Sequence, residues 1–183
     1  MKELSLNILD ITENSVKAGA TLTEISILEE NTLLTLTVTD NGCGMNEETV
    51  RSVTDPFYTT RTTRKVGLGI PLLKLASEQT GGTLVISSRD KESFPDSHGT
   101  VLTATFYKNH LDFTPLGDVI STVVTLIQGH PEVDFLFTHK EENREVTLDT
   151  RELRQVLVDI PLNSPEILGW IRDNLEEQYS EFK

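Results

Sequence analysis

The chain has 183 residues, 37% of them apolar, and 29 Asp/Glu against 16 Lys/Arg give a net charge of −13. That length suits one domain or a domain with a small appendage, and the acidic balance argues against a general nucleic-acid binder, which carries a basic footprint. No apolar run reaches the ~18 residues of a membrane span. No signal-peptide core follows Met1, and the single cysteine, Cys43, excludes an internal disulfide and a Cys-based zinc cage, so a cytoplasmic location is expected.

Residues 2–18 read as a helix that Gly19 stops. Leu4, Ile8, Ile11 and Ala18 fall on one side at helical spacing. Asn7, Asp10, Asn14 and Lys17 fall together on another, within an arc of roughly 80°. Such an arc is usually a solvated face. Here Leu6, Leu9 and Val16 flank it, so the stripe is expected to line a cavity. Asn14 offers the kind of oxygen that Mg²⁺ takes as a ligand. Asp10, one turn earlier, is spaced to orient a water toward a metal-bound phosphate, and Lys17 to neutralise phosphate charge.

Gly19-Ala20-Thr21 turns the chain. Ile25 and Ile27 alternate in a strand over 24–28, and Glu29-Glu30-Asn31 is the expected hairpin loop. In the next strand Leu34, Leu36 and Val38 alternate with threonines. It ends at Asp40-Asn41-Gly42-Cys43-Gly44-Met45, a carboxylate followed by a loop with two glycines. Two readings stand side by side: ordinary hairpin chemistry, or a carboxylate that accepts from a ligand amine beside backbone open to close approach. Asn46 is the expected N-cap of a short helix.

Pro56 to Lys65 lacks periodicity and carries Arg61, Arg64 and Lys65 within five positions. It reads as a mobile, ligand-covering loop. Gly67-Leu68-Gly69 then opens a helix over 70–80, and the free N–H groups at such a start favour an anion. Gly81-Gly82 ends this helix. A strand over 83–88, a polar loop over 89–97 and a strand over 99–106 complete a unit expected to span 1–107, with at least four strands and helices on one face.

Residues 108–183 read as a second, smaller α+β unit, with seven basic against fifteen acidic residues where the first has nine against fourteen. A helix over 116–127 precedes a hairpin of 133–138 with 145–148 about the charged turn 140–144. A helix over 150–158 follows. Ser164-Pro165 opens the last one, with Leu168, Ile171, Leu175 and Tyr179 on one stripe. Nothing here has catalytic spacing, and a packing or partner-binding appendage is expected.

Asp10-Ile-Thr-Glu-Asn14, Asp40-Asn-Gly42-Cys-Gly44, Gly67-Leu-Gly69 and Gly99-Thr100, in that order, resemble the N, G1, G2 and G3 boxes of the GHKL ATPases, which include gyrase, the heat-shock chaperone, histidine kinases and mismatch-repair ATPases. The resemblance covers roughly residues 2–107. Glu13-Asn14-Ser15, Ala18-Gly19-Ala20-Thr21 and the loop ending in Met45 look like the mismatch-repair branch. Pro56-Phe-Tyr-Thr-Thr60, Lys17, the short lid, Gly67-Leu-Gly-Ile70 and Gly81-Gly82-Thr83 are similar to the histidine-kinase branch, which is favoured.

The resemblance implies the Bergerat fold, a two-layer α/β (α+β) sandwich with a mixed sheet backed by helices, binding ATP with Mg²⁺. By family role Asp40 binds the adenine amine and Asn14 the Mg²⁺. Gly42, Gly44 and Met45 border the nucleotide, Gly67, Leu68 and Gly69 shape the lid and phosphate site, Thr100 sits in the last box, and Lys17 and Arg61 meet phosphate. Two departures stand out. Hydrolytic members usually have Glu where Asp10 stands, and Glu13 points about 60° away from it. Kinases carry a phosphoacceptor His on an upstream helical hairpin, for which nine residues before Asp10 leave no room. His98, His110, His130 and His139 are expected to be ordinary surface or packing residues. The expected function is a kinase-like ATPase domain that phosphorylates or regulates a separate protein, as anti-sigma-factor kinases do, with an ATP-dependent switch or weak ATPase as the alternative. A homodimer is allowed; nucleic acid and membrane are not expected partners.

Overall fold

The computed structural model describes residues 3–55 and 68–182. Its elements, in chain order, are α1 (Leu4–Lys17), β1 (Leu22–Glu30), β2 (Leu33–Asp40), α2 (Glu47–Ser52), α3 (Gly69–Gln79), β3 (Leu84–Arg89), β4 (Gly99–Tyr107), α4 (Val119–Gly129), β5 (Asp134–Glu141), β6 (Arg144–Asp149), α5 (Thr150–Leu157) and α6 (Pro165–Ser180). The six strands form one mixed sheet in the order β3-β4-β2-β1-β5-β6. All neighbours are antiparallel except β1 and β5, which run parallel from Leu22↔Asp134 to Glu29↔Glu141.

Period-2 alternation buries one face of this sheet. Ile25 and Ile27, Leu34, Leu36 and Val38, Leu102, Ala104 and Phe106, Phe135 and Phe137, and Val146 and Leu148 are all buried in one continuous core. The helices supply the second layer: α1 lies on β1 and β2, α3 on β3 and β4, α6 on β6, and α4 packs between α1 and α6. On the other face Val85, Val101 and Tyr107 stay exposed. This is the expected two-layer sandwich.

The strands of the C-terminal part have no sheet of their own. β5 pairs with β1, and α4 supplies the crossover that a parallel connection requires. The pairing satisfies the backbone of β1 and brings Phe135 and Phe137 into the core beside Ile25 and Ile27. The change of composition near residue 107 is therefore not a break in the sheet.

Local chemistry moves several boundaries. Glu29 and Glu30 lie in β1, and the turn is Asn31-Thr32, with Asn31 at φ 53°. α4 begins at Val119, three residues later than expected, because Gly117 takes φ 77° and Asp118 caps the helix by accepting from the Ser121 N–H at 2.8 Å. Asn46 caps α2 as expected, accepting from the Thr49 N–H at 2.9 Å. Ser164 holds the N-cap position of α6 without a side-chain cap bond.

Candidate functional site

The site begins where α1 crosses the C-terminal end of β2. Ser15, buried on the inner side of α1, donates to Asp40 Oδ2 at 2.7 Å. The Gly42 N–H donates to Asp40 Oδ1 at 2.9 Å. The Asp40 carboxylate, half-buried, is thus held at both oxygens, and each keeps acceptor capacity for one more donor. Asn41 closes the turn beneath, accepting from the N–H groups of Thr21 and Leu22 at 2.9 and 3.0 Å.

The glycines of this loop meet a requirement of the protein itself. A Cβ on Gly42 would stand 2.9 Å from that of Ala18, so α1 and the loop touch there. Gly44 takes φ 67°, and a Cβ would overlap the Arg89 carbonyl. The loop is pinned along its length: Cys43 N–H donates to Ala18 O at 2.8 Å, Lys91 N–H to Cys43 O at 2.9 Å, and the His98 ring to Gly42 O. Met45 N–H donates to Ser88 Oγ at 2.8 Å, and Ser88 also meets Thr100 Oγ1 at 2.8 Å. Thr100 is the cross-strand neighbour of Asp40, so the Asp40–Met45 loop and the Gly99-Thr100 box converge on one end of the sheet.

Asp10, Asn14 and Lys17 are exposed on the outer side of α1, while Asn7, in the same stripe, is buried with its amide nitrogen unpartnered. The stripe is thus split between one buried member and three that face outward from α1. The start of α3 lies against Asp10: a Cβ on Gly69 would come 3.1 Å from Asp10 Cβ. This partial burial is the largest influence on the Asp10 carboxyl and raises its pKa. Lys17 opposes the shift and Glu13 adds to it. Leu68, at the N-cap of α3, is exposed. Arg61, Gly67, Arg64, Lys65 and the expected ligand-covering loop lie outside the described residues.

Four contacts were not legible as part of the site. Ser15 and Ser88 bind the loop boxes, His98 holds Gly42, and His130 Nε2 meets Glu13 Oε1 at 2.8 Å. The last contact, with Lys17 4.0 Å from Glu13 Oε2, leaves Glu13 engaged. A small polar residue on the buried side of α1 was the one available signal for Ser15. The partners of the others are more than forty positions away. Of the remaining histidines, His110 is exposed beside Asp112, and His139 is buried between Glu29 and Tyr179.

The first helix, the Asp40–Met45 loop and the start of α3 thus meet at one end of a two-layer α/β sandwich. Residues 2–110 match the family of histidine kinase-, DNA gyrase B- and HSP90-like ATPases, and the chain belongs to it. It is 35% identical over 101 residues to the sensor histidine kinase YvrG of Bacillus subtilis, a match covering 52% of this chain and 16% of that protein. A putative sensor protein of Shewanella frigidimarina is 29% identical over 91 residues, covering 48% and 14%. The matches thus span less than a sixth or so of the length of these curated relatives. Among solved structures, the ADP-complexed MutL ATPase domain of Aquifex aeolicus superposes with a TM-score of 0.56 at 18% identity, covering 86% of this chain and 70% of that one. The N-terminal domain of a DNA repair protein gives a TM-score of 0.58 at 14% identity, covering 95% and 56%. These two likenesses speak to the fold, including the strands after residue 107.

Proposed function

We propose that this chain binds ATP with Mg²⁺ between α1, the Asp40–Met45 loop and the start of α3, and uses it to phosphorylate or regulate a separate protein. The observation that carries the reading is the Asp40 carboxylate, fixed by Ser15 and the Gly42 N–H with acceptor capacity to spare, against the same helix that exposes Asn14. The donor set fits the ligand. No cluster of three or more His, Cys, Asp or Glu able to hold a metal exists among the described residues. A cation here would rest on Asn14, phosphate oxygens and water, which is how Mg²⁺ is commonly held. When bound, MgATP supplies the transferable phosphoryl group. Asp40 accepts from the adenine amine, Asn14 orients the metal, Lys17 and Arg61 neutralise phosphate charge, and Asp10 orients the attacking oxygen.

Transfer to an acceptor outside these residues is supported by the histidines. His98 and His130 are engaged at the site's edge, His139 is buried, and His110 lies in the turn after β4. None is a free side chain on a helix, so the acceptor is sought outside these 183 residues. A second reading, slow hydrolysis that drives a conformational switch, is favoured by Asp10: burial against the start of α3 raises its pKa, which makes the carboxylate a better base. Calorimetric titration with MgATP tests the shared premise, and no heat at millimolar nucleotide refutes it. Transfer of the γ-phosphoryl group to a co-purified protein supports the first reading; release of phosphate without transfer supports the second.

A further inference from the structure

The C-terminal end of α5 is unlike the rest of the surface. Val156, Val158 and Ile160 are 81%, 79% and 52% exposed, three aliphatic side chains within five positions. Leu153 and Leu157 pack inward from the same turn, so the segment is anchored and still presents these groups to water. Val158 has φ 52° and ψ −82°. A β-branched residue rarely takes positive φ, and such conformations persist where surrounding structure enforces them, often at sites of function.

The unpaired charges around this tip are acidic among the described residues. Glu152 and Asp159 are exposed and make no ion pair among the described residues. Both nearby arginines are occupied, Arg151 by Asp149 and Arg154 by Asp134, each at 2.7 Å. An aliphatic patch rimmed by carboxylates, on a chain of net charge −13, repels a second copy of itself and an anionic surface. It suits a segment with apolar anchors and cationic flanks.

Hydrogen bonds also connect the tip to the nucleotide helix. Glu13, next to Asn14, meets His130 at 2.8 Å. Pro131, the next residue, accepts from Arg154 Nη2, as does Val133 O at 3.2 Å. Arg154 O in turn accepts from the N–H of Val158 at 3.1 Å.

We propose that Val156–Ile160 is the surface through which this chain meets its partner protein, that the partner's segment is basic and amphipathic, and that the nucleotide site sets the shape of this surface through His130 and Arg154. Only the last clause rests on the nucleotide reading. In this proposal the turn at Val158, held at φ 52°, is the element that both sites act on.

Two measurements on the full chain test it. The first is binding of a fluorescent ~18-residue Leu/Lys amphipathic peptide as the probe. Val156→Ser with Val158→Asn removes the apolar contacts without changing charge, and Asn accepts positive φ better than Val, so the fold is kept. The proposal expects at least a ~10-fold loss of peptide affinity in this variant and protection of residues 156–160 by the peptide. Equal affinity, or protection elsewhere, overturns it. The second is hydrogen exchange of residues 156–160 with and without MgATP, with binding followed separately by calorimetry. Exchange is expected to change in the parent chain and not in His130→Gln. Unchanged exchange while MgATP is bound refutes the coupling. Absence of MgATP binding instead refutes the nucleotide reading, and the peptide measurement still decides the surface.

Discussion

Glu29→Gln should lower stability at neutral pH and remove part of its acid dependence. Glu29 sits at the far end of the sheet from Asp40. Its Oε1 accepts from His139 Nε2 at 2.9 Å and its Oε2 from Lys108 Nζ at 2.6 Å. His139, 3% exposed, meets the Tyr179 hydroxyl through its other nitrogen at 2.8 Å, so the network joins β1, β5, α6 and the residue after β4. The His139 hydrogen bond is the largest influence on Glu29. Burial opposes it, Lys108 adds to it, and the result lowers the pKa from 4.5 to about 2. A group whose folded pKa is depressed adds stability that is complete above its unfolded value and is lost as pH falls toward the folded one. The window is therefore about 4.5 down to about 2. At ~1.4 kcal/mol per unit the ceiling is ~3.4 kcal/mol, and solvent screening of a partly open pair brings it to about 1–3 kcal/mol. For a chain of this size that corresponds to a Tm lower by roughly 2–12 °C. Urea unfolding of both proteins at pH 7, 5, 4 and 3 gives the answer. The difference should be largest at pH 7 and shrink at pH 3 (~1.4 kcal/mol per unit lost). A difference that is zero at pH 7, or constant across the series, refutes the reasoning.

Asp40→Asn should weaken MgATP binding by roughly 10- to 150-fold, the ~1.5–3 kcal/mol of a hydrogen bond to a charged group; unchanged calorimetric affinity means the adenine contact is misassigned. Ser15→Ala leaves Asp40 Oδ2 without its internal donor and should cost about 1 kcal/mol of the same affinity, a ~5-fold loss, where a Kd identical to the parent's would show that Asp40 needs no such support. Asp10→Asn should keep nucleotide affinity and slow turnover by ~10²–10⁴-fold. In the parent, turnover should fall as acid protonates Asp10, at a pH above its ordinary 3.8 because burial raises its pKa; a profile flat down to pH 4 counts against Asp10 as base. Gly44→Ala should fail to fold or lose at least ~3 kcal/mol, since the new methyl overlaps the Arg89 carbonyl at positive φ, and a circular-dichroism melt like the parent's would contradict the loop geometry.

Much of the fold was legible because it rests on local periodicity. The alternation of Leu34, Leu36 and Val38, the helical spacing of Leu4, Ile8 and Ile11, and the Asn46 cap each act within a few residues, and each lies where the pattern put it. The parallel pairing of β1 with β5 was not legible. The same alternation over 133–138 serves an isolated hairpin or a sheet extension, and only the crossover through α4 decides between them. The boxes mark a candidate site but not the contacts that hold its loops. Ser15 reaches Asp40 across twenty-five positions, and Ser88 reaches Met45 across forty-three. The glycines of the loop carry two meanings at once: the motif reads them as space for a ligand, and the packing against Ala18 and Arg89 requires them without one. The backbone of Val158 was invisible because a β-branched residue gives no sign of positive φ, which the sequence would signal with Gly or Asn.

The central claim is that one pocket joins Asp40 and Asn14 through a bound nucleotide. A crystal structure of the chain with Mg²⁺ and a non-hydrolysable ATP analogue tests it most directly. The account predicts the adenine amine within hydrogen-bond distance of the Asp40 carboxylate and the metal on the Asn14 side-chain oxygen. An analogue seated away from both residues, or absent at saturating concentration with the Asp40–Met45 loop unchanged, would contradict it.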